Sequence, residues 1–306
     1  MGGAHRSHPL DLPRGRRPLP ASHRQKLPGT PGLPKHPRKA GKVSGPTQTP
    51  HPMIEALETL VLSLADDDLL IGHRHAEWIG LGPILEEDIA FASIAQDETG
   101  HAQAYYQLLT DLGLETPDAY AFRRKPEAFR SAHLVELPNF DYDYGLALMR
   151  HFLYDAAEQV RLEALKNSTY APLAGLAERL LKEEKYHWLH ARTWILRLGR
   201  STEEAHLRLK SAMTQLWPYA WALFEELPHE AQIVEAGWLP PSDELRQRWL
   251  EKITPLLEET QLLLPPPTQA EVAPHQKARH GHRSPYFADL LAEMTEVVHS
   301  DPEAEW

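Results

Sequence analysis

Apolar side chains recur every three or four residues through most of the chain from Met53 onwards, which is the spacing of one buried face of an α-helix. The first such stretch runs from Met53 to Trp78. A second runs from about Ile84 to Leu112, after a Gly-Leu-Gly-Pro sequence that favours the end of one helix and the start of the next. Because the connection is short, we expect helices one and two to be antiparallel neighbours.

Two further long helices are predicted, from about Asp141 to Lys166 and from about Pro172 to Leu198. A longer, proline-containing connection of about 27 residues separates them from the first pair. No strand pattern of useful length is present. The predicted fold is therefore all-α, a ferritin-like four-helix bundle with a long crossover, plus additional C-terminal helices. These additional helices are predicted at residues 201–228, 242–264 and 286–299.

Acidic and histidine side chains interrupt the apolar faces of the four long helices. The second and the fourth helix each carry a Glu-x-x-His sequence, whose two side chains project from one helical face. Each of these Glu-x-x-His sequences is preceded by an acid about one helix upstream. The six residues are Asp68, Glu98, His101, Asp155, Glu184 and His187. Corresponding members lie 86 or 87 residues apart, which indicates two duplicated helix pairs. Other Glu-x-x-His copies, such as residues 203–206, have no such upstream acid.

Four carboxylates buried in one bundle repel one another strongly in a medium of low dielectric constant. Two divalent ions would neutralise them, and both histidines would bind as neutral imidazoles. The pattern therefore predicts a di-iron or di-manganese site at the six residues. Glu158, one turn beyond Asp155, is a rival ligand, although it is more often a paired or solvated acid. Asp66 and Asp67 are expected to be solvated.

The alternative is that the same groups form a buried hydrogen-bond network without metal. In that case a cationic side chain would supply the positive charge, and the candidates are Arg150, Arg161, Lys182 and Arg192. His75 and His151 are interpreted as core histidines rather than ligands. Because the chain has no cysteine, it can form no disulfide, zinc-thiolate or iron-sulfur site, which fits a cytoplasmic location.

The charge of the chain is unevenly distributed. The net charge is −11, yet the first fifty residues hold ten Lys or Arg and one acid, which leaves about −20 on the remainder. Residues 1–52 are rich in proline and lack aromatic residues, so we expect a disordered basic tail, which an over-extended start codon before Met53 would explain. Residues 53–306 are expected to form a single domain. Neither nucleic acid nor a membrane is expected as a partner.

Three segments resemble the metal-binding segments of the bacterial phenylacetyl-CoA epoxidase, a multicomponent monooxygenase with ferritin-like subunits. They are Gln96–His101, Leu153–Asp155 and Lys182–His187. Four other segments are similar to the C-type subunit (PaaC) of that enzyme rather than to its catalytic A-type subunit, namely Gly72–Arg74, Ala76–Trp78, Leu85–Ala90 and Leu290–Met294. The chain departs from the catalytic pattern only in helix one, with Asp68 in place of Glu.

The resemblance implies a protein that acts in aerobic phenylacetate catabolism as the structural partner of the catalytic di-iron subunit, and that meets a reductase only indirectly. Such a chain is part of an oxidoreductase complex and is not catalytic alone. Its two-iron site is expected to be vestigial or unoccupied, and no other cofactor is expected. Two alternatives stay open: a subunit that is itself a di-iron oxygenase, and a ferritin-like or rubrerythrin-like iron protein.

Overall fold

The computed structural model describes residues 52–265 and 277–301, and within these ranges the chain forms helices and no β-strand. The all-α prediction is confirmed. The predicted basic tail lies outside the described residues. The α-helices are α1 (Pro52–Ala76), α2 (Leu85–Asp111), α3 (Pro117–Phe122), α4 (His133–Glu136), α5 (Tyr144–Leu165), α6 (Ala171–Gly199), α7 (Glu203–Ala220), α8 (Glu230–Glu235), α9 (Ser242–Glu259) and α10 (Phe287–Ser300).

The bundle is built from two helix pairs, α1 with α2 and α5 with α6. Side-chain contacts between α2 and α6 show that these two helices are antiparallel, because Glu87 contacts His190 whereas His101 contacts Glu183. The long connection between α2 and α5 contains α3, α4 and two 3-10 turns. Helix α4 of this connection packs against α1. No helix in the described parts of the chain is long and apolar enough to cross a membrane.

Helices α1 and α5 are covered on every side. In α1 every residue from Thr59 to Gly72 is buried, and α5 buries 20 of its 22 residues. The covering comes from α7 and α9, which pack on α5, and from the crossover and the C-terminal segment, which pack on α1. A helix in this position has no solvent-facing side, so each of its polar residues needs an internal partner.

The prediction that Asp66 and Asp67 are solvated is wrong, because both are fully buried on the covered outer side of α1. Asp66 accepts hydrogen bonds from Arg124 and from the hydroxyl of Tyr106. Asp67 accepts hydrogen bonds from the guanidinium of Arg279, from that of Arg161 in α5 and from the backbone N–H of Ala132 in the crossover. The sequence pattern of α1 shows one apolar stripe and gives no sign of the polar partners that cover its other side.

Two arginines of the basic segment after residue 276 also have internal partners. Arg279 is 1 % exposed, and its guanidinium donates to both carboxylate oxygens of Asp67 and to the carbonyl oxygens of residues 63, 130 and 223. Arg283 donates to Glu136 at 2.7 Å. The C-terminal segment therefore joins α1, the crossover and the turn after α7.

Gly281 lies where this segment packs closely against the crossover. Its φ is +88°, and a Cβ atom at this position would overlap the carbonyl oxygen of Glu127. Gly80 has a similar φ of +83°, but a Cβ atom there would meet nothing within 4 Å. We expect Gly281→Ala to lower the free energy of unfolding by about 2–4 kcal/mol and Gly80→Ala by about 1 kcal/mol. Urea denaturation of both variants tests this, and equal losses would contradict the close approach.

Candidate metal centre

The six predicted ligands converge in the middle of the bundle, and each is 3 % exposed or less. Two successive turns of α2 and two of α6 place each Glu-x-x-His pair toward the opposite helix, while α1 and α5 contribute one acid each. The residues are Asp68 in α1, Glu98 and His101 in α2, Asp155 in α5, and Glu184 and His187 in α6. The duplicated spacing in the sequence thus corresponds to a pseudo-symmetric arrangement of the helices.

Five of these residues form two groups that share one member. Asp68, Glu98 and His101 each offer one ligand atom, and these atoms lie within 4.8 Å of one another. Glu98, Glu184 and His187 do the same. Glu98 is therefore the one residue that both groups share, and it could help to hold an ion in either group.

Both imidazoles direct the Nδ1 atom toward the carboxylates. The Nδ1 of His101 lies 3.4 Å from Glu184 Oε1 and 3.8 Å from Glu98 Oε2. The Nδ1 of His187 lies 2.9 Å from Glu184 Oε1 and 3.5 Å from Glu98 Oε1. These are the atoms that a metal ion between the helices would contact.

The Nε2 atoms point the other way, toward a second pair of acids. Glu183 lies 2.8 Å from Nε2 of His101, and Asp97 lies 3.2 Å from Nε2 of His187. Each of these acids immediately precedes a ligand glutamate in sequence but contacts the histidine of the other helix. An acid that accepts the Nε2 proton fixes the tautomer in which Nδ1 is free to bind metal.

Asp155 belongs to neither three-residue group. Its Oδ1 lies 3.1 Å from Nδ1 of His151, and its charge interacts with that of Glu184. Nε2 of His151 is 3.1 Å from His190 Nδ1, and Nε2 of His190 is 2.9 Å from Glu87. Burial lowers the pKa of His151 to about 3 and that of His190 to about 4, so both imidazoles are neutral at pH 7. The prediction that His151 is a buried core histidine agrees with its position.

Glu158 belongs to a separate set of charges beside the six residues. Arg161 donates to Glu158 Oε2 at 2.7 Å and to Asp67 Oδ2 at 2.8 Å, and Arg279 also pairs with Asp67. Two carboxylates and two guanidinium groups make this quartet neutral as a whole. Glu158 is therefore a paired acid, which is one of the interpretations that the sequence left open, and Arg161 is the partner with which it pairs.

The other cations proposed as substitutes for metal lie elsewhere. Arg150 is buried but donates to the carbonyl oxygen of Leu137 and to Asn139, while Lys182 and Arg192 are exposed. Within residues 52–265 and 277–301, no Lys or Arg forms an ion pair with Asp68, Glu98, Asp155 or Glu184, the four acids of the site. In a network without metal, the positive charge would therefore have to come from His101 and His187, whose pKa values the neighbouring carboxylates raise.

Six buried carboxylate oxygens of these four acids have no hydrogen-bond partner among the described residues. They are both oxygens of Glu98 and of Asp155 and one each of Asp68 and Glu184. The other Asp68 oxygen accepts from the hydroxyl of Tyr154. A buried polar atom without a partner costs about 1–3 kcal/mol, and a buried charge costs more. Two divalent ions would neutralise four carboxylates and occupy these oxygens, so the residues fit such a pair of ions.

The pKa values of these residues are shifted because their charges are buried close together. Burial, followed by the charge of Glu184, raises the pKa of Glu98 to about 8. Burial also raises the pKa of Asp68 and of Asp155 well above the usual range. For His101, the nearby carboxylates outweigh burial and raise the pKa to about 9. Without metal, protons bound to these side chains therefore neutralise part of the negative charge of the four acids.

A third group of possible ligands, His73, Glu77 and Glu293, lies outside the bundle centre. The two oxygens of Glu77 already accept hydrogen bonds from Arg74 and Asn139. Glu293 is exposed. This group is less suited to hold an ion than the buried one.

Similarity to known proteins shows the family of this chain. Residues 38–306 match the sequence model of the family described as "Phenylacetic acid catabolic protein". The chain belongs to this family. It is 28% identical over 251 residues to the C subunit of the 1,2-phenylacetyl-CoA epoxidase of Escherichia coli (strain K12), covering 82% of this chain and 99% of that protein. It is 25% identical over 212 residues to the A subunit of the same enzyme, covering 64% and 67%.

Two features of this family member lay outside the predictions made from its sequence. One is the crossed pair of acids, Asp97 and Glu183, for which a signal did exist: an acid precedes both ligand glutamates in the same duplicated frame. The other is the run from Glu87 through His190 and His151, whose members are far apart in the chain and share no common spacing. Only the packing of α2, α5 and α6 brings them together.

Proposed function

We propose that this chain is the C-type subunit of a phenylacetyl-CoA epoxidase complex and that it supports a catalytic A-type subunit in phenylacetate catabolism in the cytoplasm. The observation that carries the proposal is the match over 99% of the length of the C-type relative, compared with 67% of the A-type relative. A reductase would supply electrons to the complex without binding this chain directly. The ring substrate would be a CoA thioester bound mainly by the partner.

We also propose that the six residues hold two iron ions. When bound, reduced iron would supply activation of O2. The residues of this chain have the supporting roles: the four acids would hold the ions through carboxylate oxygens, His101 and His187 would bind through Nδ1, and Asp97 and Glu183 would hold the Nε2 protons. Burial of the site excludes water.

The second candidate function is that this chain is itself a di-iron oxygenase subunit. The observation in its favour is that both Glu-x-x-His pairs and both upstream acids are present and that the four acids have unpartnered oxygens. Asp68 is shorter than the glutamate of the catalytic pattern, yet it still lies within 4.8 Å of its two neighbours. An iron-storage role is less well supported, because the match to the C-type relative spans nearly its whole length.

Co-expression with an A-type subunit tests the proposed function. We expect a complex that co-purifies through size-exclusion chromatography and epoxidises phenylacetyl-CoA when a reductase is added. The two proteins purified separately serve as controls, and each is expected to be much less active. A chain that remains separate from the A-type subunit, or that oxidises the substrate by itself, would contradict the proposal.

Metal binding is expected to depend on pH, because the bound ions require neutral imidazoles and ionised carboxylates. At pH 7 the metal-free site holds protons on His101, whose pKa is raised to about 9, on Glu98, whose pKa is raised to about 8, and on His187, whose pKa the carboxylates of Glu184 and Glu98 raise well above its usual range. Fe(II) must displace these protons, so its apparent affinity should rise at least about tenfold per pH unit between pH 6.5 and 8. Calorimetry in buffers of different ionisation enthalpy measures the released protons, and an affinity independent of pH would contradict the assignment.

The same protons affect stability. A folded-state pKa above the unfolded value stabilises the fold below the unfolded pKa, and this stabilisation is lost as the pH rises through the folded pKa. Both His101 and Glu98 have raised pKa values. The metal-free chain should therefore lose stability from about pH 4.5, where Glu98 begins to contribute, up to about pH 9, where the contribution of His101 ends, whereas the iron-loaded chain should not. Chemical denaturation across this pH range, with and without iron, measures the difference.

A further inference from the structure

The outward side of α2 carries little charge. Between Leu85 and Gln107 its exposed positions bear one charged side chain, Glu86, near the start of the helix, and Asp88 and Asp97 are partly exposed. The remaining exposed positions are apolar, small or amide side chains. In α6, by comparison, seven of thirteen exposed positions are charged. We call the side of α2 that contains Leu85, Ile89, Ser93, Gln96, Gly100 and Gln103 the α2 outer face.

One end of the α2 outer face continues into an apolar surface on the turn between α1 and α2. Ile79, Leu81 and Ile84 are between 47 % and 57 % exposed, and Leu85 and Ile89 are 69 % and 61 % exposed. Single exposed apolar residues need no explanation, but five within eleven residues of chain form a patch. The exposed apolar residues of the other helices are more scattered along the chain.

Gly100 is the second observation on this face. It lies in the middle of α2 and is exposed, and a Cβ atom at this position would meet nothing within 4 Å. Glycine is one of the least favourable residues for a helix interior. Nothing among the described residues requires it, because no neighbouring atom is close. A glycine in such a place permits the close approach of another backbone.

Charge indicates which kind of chain covers the face. The chain carries a net charge of −11, so two copies would repel each other, and the exposed positions of the α2 outer face include no positive group to offset that repulsion. The face from Leu85 to Gln107 is about 33 Å long. An α-helix with its side chains is about 10–12 Å across, so this face and the apolar turn would form only the central part of the roughly 800 Å² per partner that stable complexes bury.

We propose that the α2 outer face and the adjoining apolar turn are the surface on which the homologous A-type subunit docks, with one of its helices crossing close to Gly100. This inference rests on the proposed function, which supplies the partner. A helical subunit of the same family offers long, regular helices that can lie along a smooth and uncharged helix. A partner that depends on charge would find no matching groups here.

Arginine substitutions test the surface. We expect Ile89→Arg and Ser93→Arg to raise the Kd for the A-type subunit by about 100-fold or more, because each buries a charge without a partner. The matched control is Leu207→Arg on α7, since Leu207 is 54 % exposed and Ile89 is 61 % exposed. The control should change the Kd by less than about threefold. Equal effects of all three, or none from the α2 variants, would overturn the inference.

Gly100→Ala separates docking from folding. In the isolated chain, alanine should raise the melting temperature by about 2–4 °C, because it favours the helix. In the complex it should raise the Kd by about tenfold or more, because the methyl group separates the two backbones. A variant that is stabilised and binds as tightly as the wild type would contradict close packing at Gly100.

Failure of the surface can be distinguished from failure of the proposed function. If the wild-type chain shows no binding to the A-type subunit, the proposed function is wrong. If it binds and the α2 variants bind equally well, only the surface is wrong. If sedimentation shows that the wild type is a dimer and Ile89→Arg is a monomer, a second copy occupies the face and the inference is overturned.

Discussion

Glu98→Gln is expected to remove both iron ions from this chain, whereas Asp68→Asn is expected to remove only one. The reason is geometric, because Glu98 belongs to both three-residue groups and Asp68 belongs to one. Loss of a direct ligand should weaken binding by at least the roughly 10–100-fold that loss of an outer partner causes. Both substitutions preserve shape and remove a negative charge, so the difference between them reports the shared position of Glu98.

The measurement is the number of irons per chain after anaerobic loading and desalting, with Glu178→Gln on the exposed side of α6 as a control. Equal losses in the Glu98 and Asp68 variants would contradict the shared position. Turnover of the assembled complex answers a different question. If Glu98→Gln abolishes turnover while assembly is intact, then this chain carries the oxidation chemistry and its assignment as the structural partner is wrong. If assembly fails instead, the buried acids have a structural role.

The helices and the convergence of the six residues could be predicted because both depend on regular spacing. A period of three to four residues gave all four long helices with ends correct to within a few residues. The 86-residue repeat identified which Glu-x-x-His copies matter, and the chance copies at residues 203–206, 226–229 and 296–299 form no group with the buried acids in the described parts of the chain. That the six residues bind metal stays a proposal.

The partners of the outer side of α1 could not be predicted, because they come from distant and irregular segments. Asp66 pairs with Arg124 in the crossover, and Asp67 pairs with Arg279 more than 200 residues later. No periodicity connects a helix with a loop, and a run of three acids ordinarily suggests a solvated surface. The result matters for the site, because the guanidinium of Arg161 pairs with Asp67 and Glu158 and acts on Asp68 only as a more distant charge.

Arg279→Ala is expected to cause the largest loss of stability of any single substitution outside the metal centre. The guanidinium is 1 % exposed and makes five hydrogen bonds, two of them to the carboxylate of Asp67. Alanine would leave three backbone carbonyls short of a donor and a buried carboxylate short of a cation. Breaking a buried ion pair from one side typically costs about 3–5 kcal/mol. For a chain of this size that corresponds to a fall in Tm of roughly 6–15 °C.

Two further variants make the test specific. Arg279→Lys keeps the charge but cannot reach both oxygens of Asp67 and the carbonyls at once, so we expect it to recover less than half of the loss. Arg248→Ala removes an exposed pair with Glu244 on α9 and should change stability by less than about 0.5 kcal/mol. Tm is measured by circular dichroism at pH 7 for all three. A fall of less than about 2 °C in Arg279→Ala would show that the contacts of Arg279 do not attach the C-terminal segment to α1.

Arg279 also completes the neutral quartet beside the metal centre. The same variant should therefore raise the pKa of Glu158 further and reduce the number of bound irons. The count of irons after desalting measures this reduction.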